Sequence, residues 1–182
     1  MFSPAAGSFS PAADPQAPYV RLAVAGLILR KGSRSASGGP DRLGGGLGDN
    51  PEGGLVWLLL HRTDPVDAWD PPGGRMEEGE DLNTAVLREV REETGLAIQV
   101  AGPCYALLTV YKGERLLVVS MACRPLSDPD GVRLEPGGAI EWRWVSPEEW
   151  EELAAAGRST WSALDVRRAT RMSAALWEGE DD

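Results

Sequence analysis

Glu89, Glu92 and Glu93 stand in the last turns of a segment, "DLNTAVLREVREETG", that reads as a helix over residues 81–94 stopped by Gly95. At about 100° per residue, the three carboxylates share an arc of about 100°. Val86, Val90 and Leu87 make a separate apolar stripe. Like charges three and four positions apart repel by roughly 0.2–0.5 kcal/mol per pair, and the negative end of the helix dipole adds a similar penalty. A bound cation would relieve both. All-oxygen donors select a hard one, Mg2+ or Mn2+. Arg88, on the flank, is placed to fix a neighbouring carboxylate through paired N–H donors. Helices of this "REVREE" character are also often just solvated faces, so the flanking residues must decide.

The flanks favour a site. "DPPGG" (70–74) lets backbone approach closely with no side chain in the way. Glu80 falls outside the carboxylate arc and reads as a loop or N-terminal anchor. The order Gly74, five residues, Glu80, seven residues, Arg88-Glu89, Val90, one residue, Glu92-Glu93, one residue, Gly95-Leu96 resembles the complete Nudix box, over residues 74–96. A weaker surrounding pattern extends the resemblance over roughly 20–156. One position departs: Pro71 stands where relatives often carry an aliphatic residue, which bears on loop geometry rather than chemistry.

The resemblance implies an α+β fold, a mixed sheet sandwiched between helices. It implies metal-dependent hydrolysis of a pyrophosphate bond in a nucleoside diphosphate linked to another group, with a nucleotide-like small molecule as substrate. Carried over by position, Glu89, Glu92 and Glu93 match metal-binding glutamates, and Arg88 matches the arginine that orients them. The carbonyl of Gly73 or Gly74 matches a further ligand, Glu80 a supporting glutamate, and Gly95 the residue that closes the box. Glu89 is the base expected within the box, and Glu141, with Glu135 behind it, the candidate outside it. Tyr111 lies close to where dinucleoside-polyphosphate relatives place a tyrosine. Trp57, Trp69, Trp142 and Trp144 could stack on a base, although alternating strand residues more often serve the core. A nucleotide sensor on the same fold, without turnover, is the competing reading. Such domains usually lose box glutamates, and this chain keeps them all. Relatives are often dimers, and no feature of the sequence decides for or against pairing.

Bulk composition bounds the partners. The chain has 182 residues, 42% hydrophobic and 25% charged, which suits one domain with a sizeable core. Its net charge of −10 argues against gripping a nucleic-acid polymer through its backbone, because that needs a basic surface. A phosphate-bearing small substrate remains compatible where a metal supplies positive charge. A single histidine, His61, and the absence of a CxxC pair argue against zinc. Cys104 and Cys123 read as buried apolar thiols. No apolar run is long enough to span a bilayer, which needs about 20 residues. With no signal-peptide pattern, the cytoplasm is the expected location.

The remaining elements must position the acidic helix. Residues 1–18, rich in Pro, Ala and Ser, read as a disordered tail, residues 19–178 as one domain, and 179–182 as an acidic tail. "VRLAVAGLILRK" (20–31) and "LVWLLLHR" (55–62) read as buried strands joined by a Gly/Ser-rich loop over 32–54. Residues 63–74 read as loop, 104–111 and 115–125 as a hairpin, 128–131 as a turn and 140–145 as a strand. "SPEEWEELAAAG" carries a complete set of helix signals: Ser146 as N-cap, Pro147 at the first position, Glu149 closing a capping box and Gly157 ending it. A last helix over 160–177 is expected to use Leu164, Ala169, Met172 and Leu176 among its apolar positions.

Overall fold

The computed structural model describes residues 20–32, 37–38, 54–64, 66–111 and 113–178. The expected tails at 1–18 and 179–182 and most of the 32–54 loop lie outside them. The strand elements are β1 (Val20–Lys31), β2 (Ser37–Gly38), β3 (Leu55–Arg62), β4 (Ala68–Asp70), β5 (Gly73–Arg75), β6 (Ile98–Tyr111), β7 (Glu114–Pro125) and β8 (Glu141–Val145). The helices are α1 (Leu82–Thr94), α2 (Pro147–Ala155) and α3 (Ala163–Glu178).

Both faces of β1 and β3 are apolar because both are covered. Val24, Ile28, Val56, Leu58 and Leu60 point to one side, where they meet Ala85, Val86 and Val90 of α1. Ala25, Leu27, Leu29, Trp57 and Leu59 point to the other, against Trp150 and Leu153 of α2 and Val166, Ala169 and Trp177 of α3. The result is the expected mixed sheet between helices. Strand order is β2-β8-β3-β1-β7-β6, with β4 added to β3 and β5 to β1. Only the β1–β7 pairing is parallel among these. β1 joins two halves: Leu29–Lys31 pair with β3, while residues 20–28 pair with β7.

Four expectations need correction. The 63–74 segment is not all loop, because β4 and β5 form inside it by pairing with β3 and β1. β6 starts at Ile98 rather than near 104; register shifts at Val100/Gly102 and Pro103/Tyr105 accommodate its glycine and proline. Leu87 is exposed, so the buried face of α1 is Ala85, Val86, Val90 and Thr94. On α3, Leu164, Met172 and Leu176 are exposed, and the buried face is Val166, Ala169, Thr170, Ser173 and Trp177.

Candidate active site

α1 is held at both ends. Asp81 caps its N-terminus, accepting from Thr84 N at 2.7 Å. Gly95, at φ 70°, turns the chain out of the helix, and its N–H donates to Arg91 O at 2.9 Å. Two more carbonyls of the last turn are met from outside: Arg133 N donates to Thr94 O and Glu135 N to Glu93 O. The negative end of α1 is therefore closed by backbone donors of the 132–135 segment, and its glutamates are fixed on a rigid element.

β5 brings the glycine loop under this helix. Gly73 and Gly74 pair with Ala25 and Val24 of β1, and Gly26 N donates to Pro72 O at 2.8 Å. A Cβ at Gly73 would sit 2.1 Å from the Val24 carbonyl oxygen, which rules out any side chain. A Cβ at Gly74 would meet a different group, lying 2.5 Å from Oε2 of Glu89. The Glu89 carboxylate thus lies directly against the bare Cα of Gly74.

Arg88 organises the surroundings. Its Nε and Nη2 donate to the two oxygens of Glu80 at 2.7 and 2.9 Å, a paired contact. Nη1 reaches Glu89 at 2.9 Å and Glu92 at 3.1 Å, and Nη2 also donates to the Arg75 carbonyl at 3.0 Å. Glu80 in turn accepts from Glu77 N at 2.8 Å. The Arg88 guanidinium, then the Glu77 N–H, hold the Glu80 carboxyl down to a pKa of about 2. Glu89 moves the other way: burial raises it, Arg88 opposes, and the neighbouring Glu93 and Glu92 add to the rise. Glu93 accepts from Gly73 N at 2.8 Å on one oxygen and from Arg62 Nη2 on the other.

Beside these groups lies a cleft of about 560 Å³. Glu89, Glu93, Arg88, Gly73 and Gly74 form one wall, and Arg62, Arg75 and Tyr111 also line it. Val118, Leu116 and Trp161 give an apolar floor, with Thr160 and Asp70 at its edge. Asp70 accepts from Ser159 Oγ at 2.6 Å, Thr160 N at 3.0 Å and Thr160 Oγ1 at 2.8 Å, which ties the α2–α3 connection to the strand that leads into the glycine loop.

The structure brings Glu89, Glu93, Arg88, Gly73, Gly74 and Tyr111 together along this cleft. Glu92 stands on the flank, exposed and held by Arg88, outside the cleft lining. Glu80 braces Arg88, and Gly95 closes the helix beyond. Two expected residues are elsewhere. Glu141 accepts from Arg143 at 2.7 and 2.9 Å, and one of its oxygens lies 3.8 Å from His61 Nδ1. Trp69 is 2% exposed, because its ring stacks on His61 at 4.6 Å and carries the Arg143 guanidinium at 4.8 Å. That ring belongs to the core and does not line the cleft. Trp57, Trp142 and Trp144 are buried as well. Sequence reasoning missed Arg62, whose partner Glu93 is 31 positions away, and Trp161 and Thr160, which no spacing connects to the box.

Among the described residues, no three His, Cys, Asp or Glu side chains converge as a ready-made ligand set. Each carboxylate is met instead by a guanidinium or N–H donor. The charge inventory still fits a divalent cation. Four carboxylates (Glu80, Glu89, Glu92 and Glu93) meet two guanidinium groups, Arg88 and Arg62. The donors are all oxygen, and burial disfavours the charged form of Glu89, which a cation would offset.

A mixed sheet between helices, carrying a glycine loop and a glutamate-rich helix beside a cleft, is the arrangement expected from the resemblance of residues 74–96 to the Nudix box. A NUDIX domain model matches residues 47–164, and the chain belongs to the NUDIX family. An RNA pyrophosphohydrolase of Caulobacter vibrioides is 32% identical over 120 residues, covering 55% of this chain and 69% of the relative. The asymmetrical bis(5'-nucleosyl)-tetraphosphatase of Caenorhabditis elegans is 28% identical over 105 residues, covering 56% of this chain and 75% of the relative. The fold matches a crystal structure of a C. elegans Ap4A hydrolase binary complex with a TM-score of 0.63, at 23% identity, covering 86% of this chain and 99% of that one. No helix among the described residues is long and apolar enough to cross a membrane.

Proposed function

We propose that the chain hydrolyses a pyrophosphate bond in a nucleoside 5'-diphosphate or polyphosphate that carries a further group, with Mg2+ or Mn2+ as cofactor. The observation that carries this is the Glu89 carboxyl. It is largely buried, pressed against Gly74, raised in pKa, and faces a cleft that Arg62, Arg75 and Arg88 also reach. The two relatives named above, an RNA pyrophosphohydrolase and a bis(5'-nucleosyl)-tetraphosphatase, support a phosphate chain on a nucleoside.

Glu89, Glu93 and the Gly74 carbonyl would hold the cation, with Glu92 joining from the flank. When bound, the cation neutralises phosphate charge and acidifies a water for attack. The protein's own groups do the rest. Arg88 fixes the orientation of Glu89 by a hydrogen bond, while its two contacts to Glu80 tie the helix to the loop. Glu89 accepts the proton of the attacking water, a role open to a carboxyl that lines the cleft and is held in place by Arg88. Glu141 is occupied by Arg143, which favours Glu89 over it as the base. Arg62 and Arg75 offer guanidinium groups to the phosphates. Val118, Leu116 and Trp161 shield the nucleoside from water, and Tyr111 stands beside them at the cleft.

The test is product release from sugar nucleotides, ADP-ribose, dinucleoside polyphosphates and nucleoside triphosphates, with Mg2+ or Mn2+, beside Glu89→Gln and Glu93→Gln variants. Turnover of one class, reduced by about 10³-fold or more in both variants, is expected. Wild-type protein that folds and binds metal yet turns over none of them would defeat the reading.

A further inference from the structure

Arg62 stands at the end of β3, outside the box, yet it meets the last of the box glutamates. Its Nη2 donates to one Glu93 oxygen, while Gly73 N donates to the other at 2.8 Å. The two side chains are 20% and 19% exposed, so the pair is partly screened from water and stronger than a surface ion pair. Both also line the cleft. A carboxylate in this position has two competing demands. It can hold the guanidinium, or it can give the same oxygen to a cation. A guanidinium left beside a newly bound cation is repelled, and the nearest place for it is the cleft, where an anionic substrate would lie.

We propose that Arg62 is a binding residue that exchanges partners: it holds Glu93 while the cation is absent and passes to substrate phosphate when the cation takes Glu93. The Gly73 N–H keeps the other Glu93 oxygen throughout, so the carboxylate does not swing free. The exchange couples two binding events. Phosphate draws Arg62 away and exposes Glu93 to the cation, and the cation releases Arg62 to the phosphate. By linkage each ligand strengthens the other by one common factor. The inference rests on the cleft being the pyrophosphate site, and it adds how that site is regulated.

The experiment is titration of the whole chain with Mn2+ by calorimetry and electron paramagnetic resonance, without and with methylenediphosphonate, a diphosphate that cannot be hydrolysed. Wild type and Arg62→Gln are compared. With Mn2+ alone, the variant is expected to bind roughly fivefold more tightly, because Glu93 no longer has to give up a partner. With methylenediphosphonate, its gain in Mn2+ affinity is expected to be smaller than the wild-type gain by a similar factor. A residue that merely supports the fold would not strengthen cation binding when lost. Unchanged or weaker Mn2+ binding in Arg62→Gln overturns the exchange, as does a wild type that binds no Mn2+. Should Arg62→Gln fail to fold, Arg62→Lys decides. An ammonium is more strongly hydrated and holds Glu93 less firmly than the guanidinium, so the same shift is expected at smaller size, and its absence overturns the proposal. These readouts need no turnover. An exchange seen without hydrolysis of any nucleotide would defeat the proposed function alone, and hydrolysis without an exchange would defeat this inference alone.

Discussion

Two adjacent glycines illustrate how differently single residues can matter. Gly73 has Val24 backbone where a Cβ would go, 2.1 Å away, and backbone in a paired strand cannot give way. Gly74 has the end of a flexible side chain, Glu89, at 2.5 Å. Gly73→Ala is therefore expected to cost more than about 3 kcal/mol of stability, by strain and loss of the β1–β5 pairing. Gly74→Ala is expected to cost less than about 1.5 kcal/mol yet lower turnover by about 100-fold, because it displaces the carboxylate by an ångström or more. Urea unfolding and kcat on the same two variants check this. Equal stability losses, or full activity in Gly74→Ala, would refute the distinction. The sequence marks both residues as a place where backbone can approach closely, but only the structure shows that they are bare for different reasons. Arg62 shows the limit from the other side. Its partner is 31 positions away, and no local spacing announces a contact made by folding a strand end against a helix end.

Elements whose causes are local were legible in the sequence. The Asp81 cap, the Gly95 stop and the Ser146–Glu149 capping box all form where their residue types place them. Elements made by pairing at a distance were not. β4 and β5 carry Ala, Trp, Asp, Gly and Arg, residues with no shared strand preference, and exist because β3 and β1 accept them. Of the buried face of α3 only Ala169 was legible, because Leu164, Met172 and Leu176 point outwards. Inside it uses Ala169, Thr170 and Ser173, whose hydroxyls bond within the helix to Val166 O and Thr170 O at 2.9 Å. Ser173 also accepts from the Trp57 indole at 3.0 Å, so polar residues serve the core here. For α1, the clamp between Glu80 and Arg88 joins helix to loop. The folded pKa of Glu80, about 2, lies below its ordinary 4.5, so its ionised form favours the folded state. That contribution is complete above pH 4.5 and is lost as the pH falls towards 2. The stability difference between wild type and Glu80→Gln is accordingly expected to be constant above this window and to shrink within it. A difference independent of pH across the window would show that the carboxylate's charge does not act through the clamp.

At the scale of the molecule, the two sides of the sheet divide the work. α1 and its loop present the charged groups, while α2, α3 and their connection complete the cleft with Trp161 and Thr160. With a net charge of −10, a polyanion is repelled on average, and Arg62, Arg75 and Arg88 gather positive charge locally at the cleft. Asp70 joins the sides. It follows the buried Trp69, precedes the loop that carries Gly73, and accepts three hydrogen bonds from Ser159 and Thr160. Trp69 N adds a backbone bond to Arg158 O at 2.8 Å. Asp70→Ala leaves that bond and the box untouched but releases the wall at Thr160. Its expected cost in stability is about 1–3 kcal/mol, from donors left without their acceptor. Under the proposed function the wall would contact the substrate away from the reacting phosphates and contribute binding common to ground and transition states. KM should rise by about tenfold while kcat stays within about threefold of wild type. Mn2+ affinity without substrate should not change, since none of the Glu89, Glu93 and Arg62 contacts involves Asp70. Steady-state kinetics and an Mn2+ titration of the same preparation distinguish the alternatives. A fall in kcat with weakened Mn2+ binding would mean that Asp70 acts through the glycine loop, and that the two sides of the sheet are mechanically one site.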